Sequence, residues 1–281
     1  MEKVYGLLGH PVGHSMSPLI HNDAFSNVGI KANYQAFDVE PEMLEEAITG
    51  IKALGIAGCN VTVPHKIAVM KFIDEVDEEA EQIGAVNTIV NQNGKLIGHN
   101  TDGRGYVQSL IEETNEDITN KRFLIIGAGG AARGVITALL RYGIGDLTIT
   151  NRTQDKIEPL LELAKMFQTT ANRATRAEVE QNLDQFDVLI NTTSIGMSPR
   201  IEDSPLSLEN LRAGAIASDL IYNPLKTKFL KEAQVRGGKS HTGIGMFVNQ
   251  AALSFEHWTG VRPDHNRMRK LVLEKLGGTI C

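Results

Sequence analysis

A glycine-rich turn between an apolar run and a helical segment is the feature that most constrains this fold. The apolar run Phe123–Ile126 leads directly into residues 127–132, which read GAGGAA. Helical periodicity then continues to Leu140, and a second apolar run occupies residues 147–150. A strand, a glycine turn, a helix and another strand form a βαβ unit, whose two strands are parallel. The chain is therefore predicted to contain a parallel sheet with crossover helices.

Short apolar runs alternate with amphipathic segments along the whole chain, which predicts the α/β class. The predicted strands are 4–9, 34–39, 56–61, 86–91, 95–99, 123–126, 147–150, 188–191 and 215–220, with a hairpin turn at Asn93-Gly94. A length of 281 residues allows two modest domains or one large one. We predict a first α/β domain over 1–101 and a dinucleotide-binding domain over 102–239, with a cleft between them. Residues 240–281 are predicted to form two helices that pack back on the first domain.

Composition excludes several classes of protein. Hydrophobic residues make up 42% of the chain, which is typical of a folded protein rather than a disordered one. The net charge of -6 leaves no basic excess for nucleic acid. No apolar stretch reaches the roughly 18 residues that a membrane span needs, and the amino terminus lacks a basic leader. Two cysteines, Cys59 and Cys281, cannot form a disulfide framework, so we expect a cytoplasmic protein.

The turn at 127–132 fits the G-x-G-x-x-A form of the dinucleotide fingerprint. Its first glycine permits a tight turn, its second lets the backbone approach a pyrophosphate, and Ala132 allows close packing of helix and strand. The alternative is a tight turn between strand and helix that binds nothing. The candidate cofactor-binding residues here are Gly127, Ala128, Gly129, Gly130 and Ala131.

The residues after the second strand of this unit indicate which cofactor is bound. An NAD site usually places an acid there to bind the ribose hydroxyl, whereas this chain has Asn151-Arg152-Thr153 and then Lys156. Arg152 and Lys156 are cations suited to a 2′-phosphate, and Asn151 and Thr153 offer neutral hydrogen bonds. NADP is therefore predicted. The alternative is that both cations are solvated at the start of a helix, with Asp155 moderating their field.

Two serines precede the first predicted helix. Ser17 taken alone is most simply a helix N-cap. Ser15 and Ser17 together could hold a carboxylate, because their hydroxyls add to the favourable end of the helix dipole. Three histidines lie nearby, at His10, His14 and His21, but no carboxylate or cysteine has ligand spacing to them, so no metal site is predicted.

Residues 60–66 end a strand and place polar groups at its carboxyl end, where α/β folds bind ligands. Lys66 beside an acid could exchange a proton with an alcohol oxygen, and Asp102 is the candidate acid. The alternatives are that Lys66 is an ordinary surface lysine and that Asp102 is a helix cap.

Taken together, these segments resemble the shikimate dehydrogenase family over essentially the whole chain and in the family's order. The resemblance rests on residues 14–18, 60–66, 85–88, 100–103, 191–197, 219–224 and 243–250. It implies a substrate-binding domain and a Rossmann-like NADP-binding domain. The implied activity is the reversible, NADP-dependent reduction of 3-dehydroshikimate to shikimate, a step in aromatic amino-acid biosynthesis.

The resemblance also implies a role for individual residues. Lys66 corresponds to the family's catalytic lysine and Asp102 to the acid paired with it. The implied substrate-binding residues are Ser15, Ser17, Asn60, Thr62, Asn87, Tyr222 and Gln250. Further cofactor-binding residues are expected on the nicotinamide side, at Thr192, Gly243 and Met246.

One position departs from the family pattern. Many members carry an arginine where this chain has Lys156, and lysine lacks the planar fork of a guanidinium. Weaker affinity or selectivity for NADP is the expected consequence. Residues 279–281 have no family counterpart.

Two other functions stay open at this stage. A quinate dehydrogenase using NAD is opposed by Arg152, which has no adjacent acid. A non-catalytic, nucleotide-sensing relative is opposed by the presence of both Lys66 and Asp102. The expected partner is a small-molecule substrate, without nucleic acid or membrane, and the expected state is a monomer or homodimer.

Overall fold

The structure is a computed structural model that describes residues 2–277 and divides into two compact units. Unit 1 comprises the chain up to Thr101 together with the segment from Val248 onward, and unit 2 comprises Asp102–Phe247. The predicted second domain ends at residue 239, whereas unit 2 continues to Phe247. The reason is that residues 239–241 form a strand of the unit 2 sheet, and Gly245 lies against Ser109 of the same unit.

Strands and helices alternate along the chain, as the α/β prediction requires. The strands are β1 (Lys3–Gly9), β2 (Ala32–Asp38), β3 (Gly58–Val61), β4 (Glu75–Val76), β5 (Thr88–Gln92), β6 (Lys95–His99), β7 (Arg122–Ile126), β8 (Asp146–Thr150), β9 (Thr170–Ala174), β10 (Val188–Asn191), β11 (Ile216–Asp219) and β12 (Lys239–His241). The helices are α1 (Ser17–Asn27), α2 (Leu44–Leu54), α3 (Glu78–Ile83), α4 (Asp102–Thr114), α5 (Gly130–Tyr142), α6 (Glu158–Met166), α7 (Arg176–Gln181), α8 (Lys228–Val235), α9 (Gly243–Thr259) and α10 (His265–Lys275).

Unit 1 contains a mixed sheet with the strand order β2-β1-β3-β5-β6-β4. β1 is parallel to β2 and β3, whereas β5 is antiparallel to both β3 and β6. The predicted hairpin between β5 and β6 is confirmed. Its turn residues Asn93 and Gly94 have φ values of 56° and 92°, and two successive positive φ angles suit the right-handed twist of a tight hairpin.

Unit 2 contains a parallel sheet with the order β12-β11-β10-β7-β8-β9. Its central strands are buried on both faces: Phe123 and Ile125 belong to one apolar cluster, and Leu124 and Ile126 belong to another. Near-continuous apolar runs are typical of such strands, which is why they were predicted. The two edge strands, β9 and β12, are short and largely polar, and they were not predicted.

A histidine is enclosed in the aromatic core of unit 1. The His21 ring stacks on Tyr34 with ring centroids 4.5 Å apart, and Trp258 lies 5.1 Å away on the same measure. Burial lowers the pKa of His21 to about 3, and the side chain of Asn60 opposes this shift only in part. Neither ring nitrogen makes a hydrogen bond of normal geometry to a described residue. His21 is therefore a neutral aromatic side chain at physiological pH.

This burial predicts a specific acid sensitivity of folding. The pKa of His21 is lower in the folded chain than the value of about 6.5 expected after unfolding, so only the unfolded chain gains this proton between about pH 6.5 and 3. As the pH is lowered through that window, the free energy of unfolding should decrease, by up to about 1.4 kcal/mol per pH unit from this group. In His21→Phe this contribution should vanish. Urea unfolding at a series of pH values measures it, and an unchanged pH dependence would contradict the prediction.

Candidate active site

The carboxyl ends of three neighbouring strands meet at one edge of the unit 2 sheet. Ile126, the last residue of β7, is in register with Thr150 of β8 and Asn191 of β10. The Gly127 amide donates to the Thr150 carbonyl (2.8 Å), and the Thr192 amide donates to the Ile126 carbonyl (3.0 Å). The predicted cofactor residues that follow these strands therefore lie together, as is usual at ligand sites of parallel sheets.

The glycines of the turn meet two different requirements. Gly127 has a φ of +114°, and a Cβ there would lie 2.5 Å from the Thr192 hydroxyl oxygen. Gly129 has extended backbone, with φ −96° and ψ −171°, and neither it nor Gly130 has a heavy atom within 4 Å of an added Cβ. Gly129, Gly130 and Ala131 are exposed at the start of α5. The fold itself thus requires Gly127, whereas Gly129 leaves open space where free helical amides favour a phosphate.

Arg152 lies after β8, exposed, and borders an open cavity of about 840 Å³. The other basic residues that line this cavity are Arg176, Arg200, Lys228, Lys231 and Arg236, against the acids Glu202, Asp203 and Glu232. This excess of cations attracts an anionic ligand. Next to Arg152, the side-chain amide nitrogen of Asn151 donates to the Thr153 carbonyl (2.7 Å). This hydrogen bond stabilises the loop after β8. Lys156 is exposed in the same segment and does not line the cavity.

A buried carboxylate connects two loops beside this edge. Asp219 accepts hydrogen bonds from the Asn191 amide (3.2 Å), the Ile221 backbone (3.0 Å) and the Thr227 hydroxyl (2.7 Å). Burial raises the pKa of Asp219 to about 6, against the opposing effect of these donors. Asp219 thereby joins the loop after β10 to the loop after β11. Asp219 belongs to the segment 219–224 of the family resemblance, but no role of its own was predicted for it.

The remaining candidates of unit 2 pack closely against their own unit. A Cβ on Gly243 would lie 2.3 Å from the Leu220 carbonyl oxygen, so only glycine allows this approach of α9. Met246 packs partly against the unit 2 core. The Tyr222 ring is tilted on Phe247 with centroids 5.0 Å apart.

In unit 1, the predicted serine pair begins the first helix. α1 starts at Ser17, its N-cap position is Met16, and no side-chain hydrogen bond caps it. The interpretation of Ser17 as an N-cap is therefore wrong. Instead, the Ser17 amide donates to the Ser15 hydroxyl oxygen, and the Ser15 hydroxyl donates to that of Ser17, both at 3.2 Å. Two hydroxyls lie side by side at a helix start.

Three predicted substrate-binding residues of unit 1 form one cluster. The Asn60 amide nitrogen donates to the Asn87 carbonyl (3.2 Å), and the Asn87 amide nitrogen lies 3.5 Å from the Gln250 side-chain oxygen. The backbone amide of Thr101 donates to the Asn87 side-chain oxygen (2.8 Å). Asn60 and Asn87 are buried, and Gln250 is half-buried. Residues far apart in the chain are thus joined by polar contacts.

Lys66 lies beside this cluster, whereas Asp102 begins the other unit. The Lys66 carbonyl accepts a hydrogen bond from the backbone amide of Val86 (2.8 Å), which places the Lys66 backbone beside the segment that carries Asn87 just before β5. Its side chain is half-buried, unlike that of a typical surface lysine. Thr62, also half-buried, donates its amide to the Leu8 carbonyl (2.8 Å). Asp102 is half-buried and opens α4 directly after Thr101.

Within residues 2–277, no group of three or more His, Cys, Asp or Glu side chains is arranged to hold a metal ion. In the same part of the chain, no helix has the length and apolar character of a membrane span. Cys59 is buried, and Cys281 lies outside the described residues, as does the segment 279–281.

Comparison with known proteins finds matches in both unit 1 and unit 2. Three family models match: "Shikimate dehydrogenase substrate binding domain" over residues 7–89, "Shikimate / quinate 5-dehydrogenase" over 109–208 and "Shikimate 5'-dehydrogenase C-terminal domain" over 243–273. The chain is 56% identical to a shikimate dehydrogenase (NADP(+)) of Geobacillus kaustophilus over 276 residues, covering 98% of this chain and 99% of that protein. The chain belongs to the shikimate dehydrogenase family.

Solved structures of family members agree with the fold. A shikimate dehydrogenase in complex with NADP+ has a TM-score of 0.92 and 44% identity, covering 98% of this chain and 96% of that chain. The shikimate 5-dehydrogenase of Thermus thermophilus in complex with NADP(H) and shikimate has a TM-score of 0.86 and 34% identity. The match covers 97% of this chain and 99% of that chain. The family resemblance and the α/β class inferred from the sequence are confirmed.

The two glycines of the turn give a matched test of the cofactor site. Gly127→Ala should lower the melting temperature, since positive φ and the contact with Thr192 strain any side chain there. Gly129→Ala should leave the melting temperature almost unchanged and weaken NADP binding about tenfold or more, because its Cβ points into the space proposed for the pyrophosphate. Thermal unfolding and calorimetric titration with NADP measure both effects. Unchanged NADP affinity in Gly129→Ala would show that the turn does not approach the cofactor.

Proposed function

We propose that this chain catalyses the reversible, NADP-dependent reduction of 3-dehydroshikimate to shikimate, a step in the biosynthesis of chorismate and the aromatic amino acids. The observation that carries the proposal is the cluster of Asn60, Asn87 and Gln250 in unit 1, a set of amide groups suited to a polyhydroxylated ring. The Lys66 backbone bonds that of Val86, the residue before Asn87. Support comes from the relative of 56% identity, which is named shikimate dehydrogenase (NADP(+)).

Unit 2 is proposed to hold the cofactor. The backbone of residues 127–131 would bind the pyrophosphate at the start of α5, and Arg152, Asn151, Thr153 and Lys156 would surround the 2′-phosphate. Thr192, Gly243 and Met246 are proposed on the nicotinamide side. When bound, NADP supplies or accepts the hydride. The open space at Gly129 and the cationic cavity at Arg152 fit such an anionic ligand.

Unit 1 is proposed to hold most of the substrate. Ser15 and Ser17 would donate hydrogen bonds to the carboxylate at the positive end of the α1 dipole, with Tyr222 of unit 2 as a further donor. The hydroxyl groups of the ring would bind to Thr62, Asn60, Asn87 and Gln250. Each of these groups is a neutral donor or acceptor, which suits neutral alcohols.

The chain's own chemistry is the transfer of one proton. In the direction of reduction, the ketone carbon gains a hydride and its oxygen becomes an alkoxide. The Lys66 ammonium then donates a proton to that oxygen, which leaves a neutral amine that solvent reprotonates. The Asp102 carboxylate is proposed to orient Lys66 and to offset its charge. In the reverse direction the amine of Lys66 accepts the alcohol proton.

The same proposal extends to the setting of the enzyme. We propose a cytoplasmic protein that acts on a small molecule as a monomer or homodimer. Cys59 is buried, and burial raises the pKa of its thiol to about 12, so this cysteine is suited to a structural role in a reducing compartment.

The role of Lys66 predicts a loss of turnover. Lys66→Ala should lower kcat by about 10² to 10⁴ while shikimate still binds, because general acid–base groups act mainly in the transition state. Lys71→Ala is the matched control, since Lys71 is an exposed lysine a few residues further on. Absorbance of NADPH at saturating shikimate and NADP measures kcat. Full activity of Lys66→Ala would refute the proposed mechanism.

Arg152 predicts the choice between cofactors. Arg152→Ala should raise KM for NADP much more than KM for NAD, because only NADP carries the 2′-phosphate that the guanidinium attracts. Arg173→Ala serves as the control, since Arg173 is an exposed arginine of the same unit that does not line the cavity.

The assay is run with shikimate and with quinate, each with both cofactors. A wild-type preference for quinate and NAD would contradict the proposed substrate and cofactor. Equal losses with NADP and NAD in Arg152→Ala would show that Arg152 does not read the phosphate.

A further inference from the structure

Both ends of the Asn60 side chain are engaged by other side chains of unit 1. Its amide oxygen accepts a hydrogen bond from the Tyr34 hydroxyl (2.8 Å), and its amide nitrogen donates to the Ser254 hydroxyl oxygen (3.0 Å). Asn60 is only 6% exposed, and Tyr34 and Ser254 are almost fully buried. Two hydroxyl groups, from β2 and α9, therefore contact opposite ends of this amide, and its nitrogen also donates to the Asn87 carbonyl (3.2 Å).

Asn22 and His21 hold Tyr34 in place. The Asn22 side chain bonds both backbone groups of Tyr34, accepting from its amide (2.8 Å) and donating to its carbonyl (2.9 Å). The neutral ring of His21 stacks on the phenol ring. Burial raises the pKa of Tyr34 well above its usual range, so the hydroxyl keeps its proton and remains a donor. The phenol hydroxyl thus donates to Asn60, and a hydrogen bond with the Ser17 side chain opposes the rise in its pKa.

Ser254 connects Asn60 to the helix turn that carries Gln250. The Ser254 hydroxyl donates to the Gln250 carbonyl (2.9 Å), and its oxygen lies 2.7 Å from the Thr88 hydroxyl. The Ser254 hydroxyl can donate to the Gln250 carbonyl while its oxygen accepts from the Asn60 amide nitrogen. The Asn87 carbonyl can only accept, so it selects the nitrogen end of the Asn60 amide, and the two hydroxyls complete the hydrogen bonds of that orientation.

We infer that Tyr34 and Ser254 are positioning residues, which fix the Asn60 amide and the Gln250 turn in the orientation that recognises the hydroxyl groups of the substrate ring. This inference rests on the proposed function, because it assumes that Asn60 and Gln250 bind those hydroxyls. Neither Tyr34 nor Ser254 contacts the reacting atoms in this scheme. Their effect passes through amides that are already buried and ordered, which reduces the entropy lost on binding.

The inference predicts a split between KM and kcat. Hydroxyl groups of the ring other than the reacting one are bound in the ground state and in the transition state alike, so loss of their recognition raises KM. Tyr34→Phe and Ser254→Ala should each raise KM for shikimate about three- to tenfold, the effect of one neutral hydrogen bond. For both variants, kcat should stay within about twofold of the wild type, and KM for NADP should not change.

Conservative and double variants separate positioning from general destabilisation. Ser254→Thr retains the hydroxyl and should restore KM toward the wild-type value. In Tyr34→Phe/Ser254→Ala, the rise in KM should be smaller than the product of the two single effects, because both act through Asn60.

The matched controls remove hydroxyls of the same kind outside this network. Tyr106→Phe removes a buried phenol hydroxyl that bonds Ser218 in unit 2 (2.7 Å), and Thr259→Val removes a hydroxyl that donates to the Phe255 carbonyl of α9 (2.8 Å). Both should leave KM for shikimate unchanged even if the melting temperature falls.

The outcomes distinguish this inference from the proposed function. Wild-type protein without activity on shikimate would refute the proposed function. With an active wild type, KM values for Tyr34→Phe and Ser254→Ala that match the controls would refute the inference alone. Equal losses of kcat and kcat/KM in these two variants would also refute the inference, because KM would then be unchanged. If one of the two variants does not fold, the other carries the same test.

Discussion

Pairing between strands that are distant in sequence is the constraint on which both candidate sites depend. In unit 2, β7 lies between β8 and β10, so the residues after three strands meet at one sheet edge. In unit 1, β1 and β3 are parallel, and the Thr62 amide just after β3 bonds the Leu8 carbonyl of β1. The antiparallel pairing of β3 with β5 sets Asn60 opposite Thr88. The carboxyl ends of parallel strands necessarily leave the sheet on the same side. Polar side chains that are distant in sequence are thereby collected without any local signal.

The two sites use different physical means of recognition. At the candidate cofactor site, Gly129 and Arg152 are exposed, and the available interactions are long-range charge and free helical amides. At the candidate substrate site, Asn60 and Asn87 are buried in a network of neutral groups. A buried network loses much when one partner is missing, because the group left behind is unsatisfied. Unit 1 is thus suited to discriminating among hydroxylated rings, and unit 2 to attracting a phosphate.

Most of the fold could be predicted from local patterns, and two kinds of feature could not. The central strands are continuous apolar runs, and the Asn93-Gly94 turn has the backbone that such a hairpin needs. The edge strands β9 and β12 have no such pattern, because most of their residues are exposed or half-buried and no apolar run marks them. Ser17 has the sequence position of a cap, yet its helix begins at Ser17 itself and its hydroxyl faces Ser15. Sequence position alone does not determine where a small hydroxyl points.

The sequence by itself determined the α/β class, the glycine turn and the cationic rather than acidic residue after the second strand of that unit. These features depend on periodicity and on the chemistry of neighbouring residues, which a linear chain displays directly. Only the tertiary structure decided that Tyr34 and Ser254 engage the two ends of Asn60. Strand pairing and helix packing create those contacts between distant parts of the chain. A buried amide must find its partners wherever packing brings a donor or an acceptor within about 3 Å, and no local spacing encodes that choice.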